Sequence, residues 1–552
     1  MYLHAFISSY YPHLVMKCQG RADDSRVEKF QLGCYACFGK NDRSETGTER
    51  VEKSLCWKEA RRTALLALCA TAAFSFAAHG FLFSNEFFSH DSVSYFTYAT
   101  GSGSFYIGIG RFVIPLYESI KGDVAAPWLI GILFLAWMSL AALLVVLLLR
   151  IHSACGIVLT CGLLCTNTAM TLTGATYVYC MDEYAFALLM AAAAAWLFVR
   201  GGWWMLGGLG ALVVSLAVYQ PYFTVAAILC LLAILRKLAV GEQAAQVFRT
   251  GLKYLGLLAA GFLLYYGMWS VVCGAAGVEK RRVEESLLSG GGLGELLGLW
   301  QEANVSYVRG LFDSSGVLGP LVPILHALLL MGLCWRLIAL LADQEMALSN
   351  KLLLTGLVCL LPTALNAVDI LMAGSATQLM SYGGELLYLL PVACWELPAR
   401  RRWTAPWRKG AAVLLCLVLW QHIVYANQVY MKKDLDKNAT LVLAARVLDR
   451  IELTEGYVPG ETPVAFAGRL DDNELLNRGR DEFADLDHTV GLWSDYAATY
   501  NLGRYLTDYL NAPLLWDTEK DFSQLEQVQD MPAFPAAGAV AMVDGTVVVK
   551  LS

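Results

Sequence analysis

Long apolar runs separated by short polar segments dominate the chain between residues 63 and 428. A helix needs roughly 20 apolar residues to cross the hydrocarbon core of a bilayer. About eleven segments approach that length, namely 63–83, 127–149, 155–174, 184–199, 203–219, 221–236, 254–273, 318–341, 352–372, 377–396 and 410–428. A turn at Tyr219, Gln220 and Pro221 separates two of them, because proline breaks a helix. The pattern predicts an all-α polytopic membrane protein.

The tail, residues 431–552, follows a different pattern. The stretch "TPVAFAG" predicts a strand, and residues 471–512 have helical periodicity. In "AVAMVDGTVVVKL" two β-type runs flank Asp544 and Gly545, which is a strong signal for a two-residue hairpin. We therefore predict a small α/β domain that shapes or covers a site.

The first 57 residues show neither apolar periodicity nor a signal-peptide pattern. They are interpreted as a disordered cytosolic leader or as an over-extended start, which leaves residues 58–430 as the transmembrane domain. Cys34 and Cys37 form a lone CxxC without the second pair or nearby histidines that zinc requires. No metal site is predicted.

Composition agrees with a membrane protein. The chain is 57% hydrophobic and 16% charged, whereas soluble domains carry about 25% charged residues. The tail holds 11 lysines and arginines against 21 aspartates and glutamates, so it predicts a water-exposed acidic domain. No basic surface for a nucleic acid is visible.

Loop charges predict the orientation. With a cytoplasmic N-terminus, inner segments hold 17 lysines and arginines and outer loops hold six. This bias is the one that membrane proteins follow. An odd number of spans then places the tail outside the cytoplasm.

The first outer loop, which follows the first span, carries candidate chemistry. His90 and Asp91 open it, and Arg111 is an isolated cation among apolar neighbours. A guanidinium can bind a phosphate through two parallel hydrogen bonds. Alternatively, Arg111 anchors lipid headgroups and Asp91 caps a helix. Aromatic rings at Phe105, Tyr106, Phe112 and Tyr117 suit the headgroup zone.

Asp182 and Glu183 form an acid pair at the mouth of the fourth span, on the same outer face. Acids at a membrane interface are costly unless they are solvated, paired or functional. One carboxylate can accept a proton from an attacking hydroxyl, and others can orient a sugar or hold a cation. A divalent cation is therefore an open alternative, although no cofactor is required by any motif.

Two further regions add candidates. Glu385 lies inside a predicted span, where a carboxylate is either functional or lines a wet cavity. In the loop 274–317, Lys280, Arg281 and Arg282 could grip a phosphate, or they form a solvated face with neighbouring glutamates. The apolar period that follows predicts an amphipathic helix on the outer surface, at Leu293, Leu296, Leu297, Trp300, Val308 and Leu311.

Several stretches, in order over most of residues 60–552, resemble the Gtr type II glucosyltransferases. They are "HDSVSYF", "GRFVIPLY", "YVYCMDEYAFALLM", "SLAVYQPYFTVAAILCLLAIL" and "MPAFPAAGAVAMVDGTVVVKL". The family more often has tryptophan after the loop arginine, where this chain has Phe112.

The resemblance implies a GT-C-type glycosyltransferase, located in the membrane, that moves a sugar from a polyprenyl-phosphate donor to a cell-surface glycan on the outer face. It implies Asp91 as the lead catalytic residue, Asp182 and Glu183 as supporting acids, and Arg111 as a donor-phosphate ligand. His90 would orient the loop or the acceptor. The alternative is a transporter or flippase of a lipid-linked glycan, a class that often has two related halves. No internal repeat is evident in the sequence.

Overall fold

The computed structural model describes residues 47–87, 103–122, 125–281, 293–313, 320–372, 374, 376–397, 404–470, 473, 502–517 and 520–552. The chain forms two compact units, Met1–Leu66 and Ala67–Ser552. In the first unit, the described residues 47–66 are helical. The Cys34 and Cys37 pair lies outside the described residues.

The structure is mainly helical. Its first helices are α1 (Gly47–Ser84), α2 (Gly103–Gly108), α3 (Ile114–Lys121), α4 (Pro127–Leu148), α5 (Ala154–Thr166), α6 (Thr168–Thr176), α7 (Met181–Arg200), α8 (Trp204–Leu216), α9 (Phe223–Val240) and α10 (Ala244–Ala276). They are followed by α11 (Leu293–Leu311), α12 (Leu321–Leu341), α13 (Leu348–Cys359), α14 (Leu361–Leu365), α15 (Ala367–Leu371), α16 (Tyr382–Glu385), α17 (Leu389–Trp395), α18 (Thr404–Glu452) and α19 (Glu526–Gln529).

Eight helical segments among the described residues are long and apolar enough to cross a membrane: Lys58–Ser84, Pro127–Leu148, Ala154–Thr176, Val178–Arg200, Gln220–Val240, Ala244–Ala276, Leu321–Leu341 and Trp407–Glu452. The chain is therefore a membrane protein. The predicted count of eleven is not confirmed. Segment 203–219 contains the shorter apolar helix Trp204–Leu216, and segment 352–372 overlaps the shorter apolar helix Leu348–Cys359. Segment 377–396 consists of short helical turns, beginning at Gln378.

Local sequence explains several helix boundaries. Ser153 begins α5, because its hydroxyl accepts a hydrogen bond from the backbone N–H of Gly156. Asn167 interrupts the third span in an extended conformation and caps α6 by accepting from the N–H of Met170. Pro127 occupies the first turn of α4, where its missing N–H costs nothing.

The interior of the helical bundle lies around α7, which packs against α4, α8 and α9. A run of alanines from Ala191 to Ala195 gives this helix small buried side chains. Small side chains let neighbouring helices approach each other closely. The N-terminal turn of α7 is buried too, and it carries the acid pair identified in the sequence.

Helix α18 links the bundle to the tail. Its 49 residues correspond to about 74 Å of helix. Within the bundle, the Tyr430 hydroxyl lies 2.7 Å from Nδ1 of the buried His79. Further along, Val447 and Ile451 join the hydrophobic core of the C-terminal sheet.

The described part of the tail contains four strands, β1 (Pro463–Ala467), β2 (Leu515–Trp516), β3 (Val540–Val543) and β4 (Thr546–Lys550), in the order β2-β1-β4-β3. Strand β1 is parallel to β2 and β4, and β3 pairs antiparallel with β4. The predicted hairpin is confirmed, since Asp544 and Gly545 both have positive φ angles, 48° and 78°, as its tight turn requires. The predicted strand in "TPVAFAG" is β1.

Candidate functional site

The backbone of the segment that carries Arg111 is held by side chains from two spans. The Gln220 side-chain amide donates to the carbonyl of Ile109 at 2.9 Å, and the Tyr265 hydroxyl donates to the carbonyl of Gly110 at 3.2 Å. Gly110 has a φ of +86°, and a Cβ atom there would clash with the Tyr265 hydroxyl. Only glycine meets both the conformation and the close approach. The position of Arg111 is therefore tightly defined.

The Arg111 guanidinium lies against tyrosine side chains. Its Nη1 donates a 2.9 Å hydrogen bond to the Tyr184 hydroxyl, and its carbon lies 5.2 Å from the centroid of the Tyr219 ring. The two tyrosine rings are stacked with centroids 4.0 Å apart. A cation over aromatic faces is stabilised by the ring quadrupoles.

Part of the Arg111 donor set is unused. Its buried Nε has no hydrogen-bond partner among the described residues. Burial lowers the pKa of Arg111 while the facing Tyr184 and Tyr219 raise it, and the net pKa lies above its ordinary value. Arg111 is thus a charged group with a free donor, which suits it to an anionic ligand.

The predicted acid pair is fully enclosed. Asp182 and Glu183 occupy the first turn of α7 with 0% exposure. The ammonium of Lys121, at the end of α3, lies 3.3 Å from Asp182 Oδ1 and 3.1 Å from Glu183 Oε1. Tyr117, also on α3, donates to Asp182 Oδ2 at 2.9 Å. The acids are therefore paired in this structure, not exposed in an open cleft.

The cluster contains more acidic groups than basic ones. The ammonium of Lys121 faces both acids of the pair, and Glu118 is buried on the same helix as Lys121. Glu183 Oε2 has no hydrogen-bond partner within the described ranges. Burial lowers the pKa of Lys121, and the charges of Glu183 and Asp182 raise it, with a net rise. Lys121 therefore stays charged, and Glu183 presents one unused oxygen beside it.

Arg111 and the acid cluster share two structural elements. Tyr184, which binds Arg111, follows Glu183 directly on α7. Arg111 and Lys121 lie on the continuous described segment 103–122. Segment 103–122 and helix α7 are thus held together at two points, by the charged side chains of Arg111 and Lys121.

The other predicted residues lie elsewhere or are not described. Asp91, His90 and Arg282 lie outside the described residues. The backbone N–H of Arg281 donates to the carbonyl of Gly108 at 2.8 Å, and its guanidinium lies 5.7 Å from the Phe105 ring centroid. Arg281 therefore joins the segment that carries Arg111.

Glu385 is placed in a different environment. Its Oε1 accepts a hydrogen bond from the Thr168 hydroxyl, at the start of α6. Tyr307 of α11 donates to the neighbouring carbonyl of Gly384 at 3.2 Å. Among the described residues, no hydrogen bond or ion pair joins Glu385 to Arg111 or to the acid pair. The predicted span around Glu385 is not confirmed, because short helical turns occupy segment 377–396, and the role of Glu385 stays a prediction.

Sequence reasoning missed the partners of the charged residues. It treated Lys121 only as a charge of an outer loop and Tyr117 only as an interfacial ring. The sequence did hold one signal for Lys121, because an acid pair that is buried needs a cation nearby to offset the cost of burial. Lys121 is one of two lysines and arginines between the first and second predicted spans, and the other is Arg111.

Within the parts of the chain that the structure describes, no three His, Cys, Asp or Glu side chains are grouped so that they could hold a metal ion.

The chain was compared with known proteins. A model of the family described as Glucosyl transferase GtrII matches residues 80–388, more than half of the chain. No curated protein and no solved structure matches the chain. The matched range includes Arg111, Lys121, Asp182, Glu183 and Glu385.

Proposed function

The chain belongs to the glucosyl transferase GtrII family, and we propose that it moves glucose from a polyprenyl-phosphate donor to a cell-surface glycan acceptor. The reaction takes place on the outer face of the membrane. The observation that carries the proposal is Arg111, a partly buried cation with an unused, buried Nε donor in a segment fixed to two spans.

Arg111 is assigned to the donor phosphate. As the sugar leaves, negative charge stays on the phosphate, and a prepositioned cation stabilises that charge. Hydrogen bonds from a guanidinium to a phosphate are charge-assisted and therefore strong. The contact with Tyr184 fixes one edge of the guanidinium, and Nε remains for the ligand. Arg281, which contacts the same segment through Gly108, and Arg282 are assigned as secondary phosphate ligands.

Asp91 is assigned as the general base. The acceptor hydroxyl gives its proton to the carboxylate, its oxygen bonds to the sugar C1, and the bond from C1 to the phosphate oxygen breaks. The lipid phosphate departs with the electron pair. His90 would orient the loop or the acceptor, and it takes no proton in this scheme. General-base assistance typically contributes about 10²–10⁴-fold in rate.

The acid pair is assigned a supporting function. With 0% exposure and Lys121 as its partner, it holds the Arg111 segment against α7. The unused Glu183 Oε2 is available to a sugar hydroxyl if the site opens. Glu385 is a second supporting acid, and a divalent cation at the carboxylates remains an alternative that the activity assay can test by chelation.

The proposed architecture is GT-C-like. Residues 58–430 form the transmembrane glycosyltransferase domain, and residues 431–552 form an extracytoplasmic domain. Residues 1–57 are assigned as a cytosolic leader or as an over-extended start. Eleven crossings result if segments 203–219, 352–372 and 377–396 also cross the membrane. The N-terminus is then cytoplasmic, as the loop charges predict.

The proposal is tested with membranes containing the protein and a polyprenyl-phosphate donor labelled on glucose. The label should pass to a glycan acceptor, with release of one lipid phosphate for each sugar transferred. Movement of the intact donor across the bilayer is measured in the same preparation. Donor movement without sugar transfer would instead identify a flippase. If neither sugar transfer nor donor movement is observed, the proposal has no support.

A further inference from the structure

An apolar cavity of about 290 Å³ lies within the bundle, with walls formed mainly by α9, α11, α12 and α17. Most of its lining side chains are leucines, including Leu232, Leu333 and Leu337. Its polar lining residues are Arg236, Tyr307 and Arg336. Such a wall offers few partners for the hydroxyls of a sugar, because sugar binding depends on hydrogen bonds to well-placed polar groups.

The cavity lies along the last part of α9, where Leu232, Arg236 and Ala239 line it. The lining on α9 from Leu232 to Ala239 spans about 10 Å at 1.5 Å per residue. Tyr307 also lines the cavity, and its hydroxyl donates to the carbonyl of Gly384. The adjacent Gly383 lies against Thr224 near the start of α9.

A row of tyrosines connects Tyr307, which lines the cavity, to the candidate site. The Arg111 guanidinium lies 5.2 Å from the Tyr219 ring, and Tyr219 lies 5.0 Å from Tyr222. The Tyr222 ring lies 5.4 Å from that of Tyr382. Tyr382 precedes the glycine pair that ends in Gly384, the acceptor of the Tyr307 hydrogen bond. The same row of side chains therefore runs from Arg111, the candidate site for an anionic group, to the apolar cavity.

We propose that this cavity holds the isoprenoid chain of the lipid-linked donor. The proposal rests on the proposed function, which requires a donor with a charged phosphate and a long apolar chain. The aliphatic lining fits the apolar chain, and the row of tyrosine contacts joins the cavity lining to the region of Arg111. Helices α9 and α12 are both of membrane-crossing length, so the chain can enter from the bilayer.

A pair of neighbouring residues on α12 provides the test. Leu337 lines the cavity, whereas Ile338 is 60% exposed on the outside of the helix. Leu337→Trp should raise KM for the full-length donor by about 10-fold, the effect of displacing roughly two buried methylene groups. KM for a short-chain donor, which does not reach Leu337, should be unchanged. Ile338→Trp should leave both values unchanged.

An unchanged KM for the full-length donor in folded Leu337→Trp overturns the cavity assignment. Normal turnover of the short-chain donor in the same variant shows that the proposed function still holds. If wild-type protein turns over neither donor, the proposed function fails first.

A second measurement uses unaltered protein, in case Leu337→Trp does not fold. A donor with a photoreactive group in its isoprenoid chain should label cavity-lining residues of α12 and α17, and excess unlabelled donor should suppress that labelling. Labelling confined to outward-facing residues such as Ile338 contradicts the proposal. Labelling of the cavity by a photoreactive phospholipid that the donor does not displace also contradicts it, because the occupant is then a membrane lipid.

Discussion

Lys121 Nζ lies 3.1 Å from Glu183 Oε1, and the two side chains are 5% and 0% exposed. The pair connects α3, next to the Arg111 segment, with the first turn of α7. Separating a buried ion pair is costly because the remaining charge is left without compensation. The Arg111 region is therefore expected to depend on Lys121 for its position.

Replacing Lys121 with methionine should destabilise the protein. The substitution leaves Asp182 and Glu183 without their ammonium partner, and loss of one member of a buried pair costs about 3–5 kcal/mol. The measurement is the free energy of unfolding in detergent, compared with wild type. Arg200→Met is the control, because Arg200 lies on the exposed end of α7 over Trp204, and it should have little effect.

The double variant Lys121→Met, Glu183→Gln should recover part of the lost stability, since it removes one of the uncompensated charges. If the two single substitutions simply add in the double variant, Lys121 and Glu183 are not energetically coupled. The role assigned to the pair would then be wrong.

The coupling should also have a defined pH dependence. The pKa of Lys121 is raised in the folded protein, because the nearby carboxylates outweigh the effect of burial. Its contribution is therefore fully present below the unfolded-state pKa of about 10.4 and is lost as pH rises through the higher folded pKa. The coupling from the double-variant cycle should not decline between pH 7 and pH 9, because Lys121 keeps its charge over this range. A decline between these values would contradict the assignment.

Asp91→Asn is expected to lower turnover by about 10²–10⁴-fold, because the amide keeps the shape of the side chain but accepts no proton. The measurement is kcat at saturating donor and acceptor, on protein shown to be folded. His90→Ala should cost less. Normal turnover of Asp91→Asn, together with an inactive Asp182→Asn or Glu183→Gln, would move the base to the acid pair on α7.

The topology predicts that the tail lies outside the cytoplasm. A phosphatase that is active only outside the cytoplasm should be active when it is fused after Ser552. A reporter that fluoresces only in the cytoplasm should stay dark when it is fused at the same position. A stable but inactive phosphatase fusion would place the tail inside. That result is the one expected if the eight long helices are the complete set of crossings.

Local pattern was sufficient for much of the fold. The predicted span 127–149 corresponds to Pro127–Leu148, because one continuous apolar run begins at a proline and ends near Arg150. The hairpin at Asp544 and Gly545 was likewise predictable, since its turn residues fix its backbone conformation. These features depend on residues that are neighbours in sequence.

Features that depend on distant contacts were not predictable in the same way. Segment 377–396 is apolar enough for a span, yet Gly383 and Gly384 pack against Thr224 and Tyr307, and the helix is divided into short turns. The pairing of Lys121 with Glu183 joins residues 62 positions apart. Sequence identified the acids and Arg111 as candidates, but it gave neither the lysine nor the tyrosines that hold them.

The central claim, that Arg111 binds the donor phosphate, is tested most directly by donor kinetics of Arg111→Lys and Arg111→Ala. Lysine keeps the charge but loses the planar donor set, so KM for the polyprenyl-phosphate donor should rise in Arg111→Lys and rise further in Arg111→Ala. The loss of a charge-assisted hydrogen bond, worth about 1.5–3 kcal/mol, corresponds to roughly 10–150-fold in donor affinity. Both variants should remain folded, with unchanged affinity for the acceptor. Normal donor affinity in both variants would contradict the account, make Arg111 a lipid-headgroup anchor, and move the phosphate site to Arg281 and Arg282.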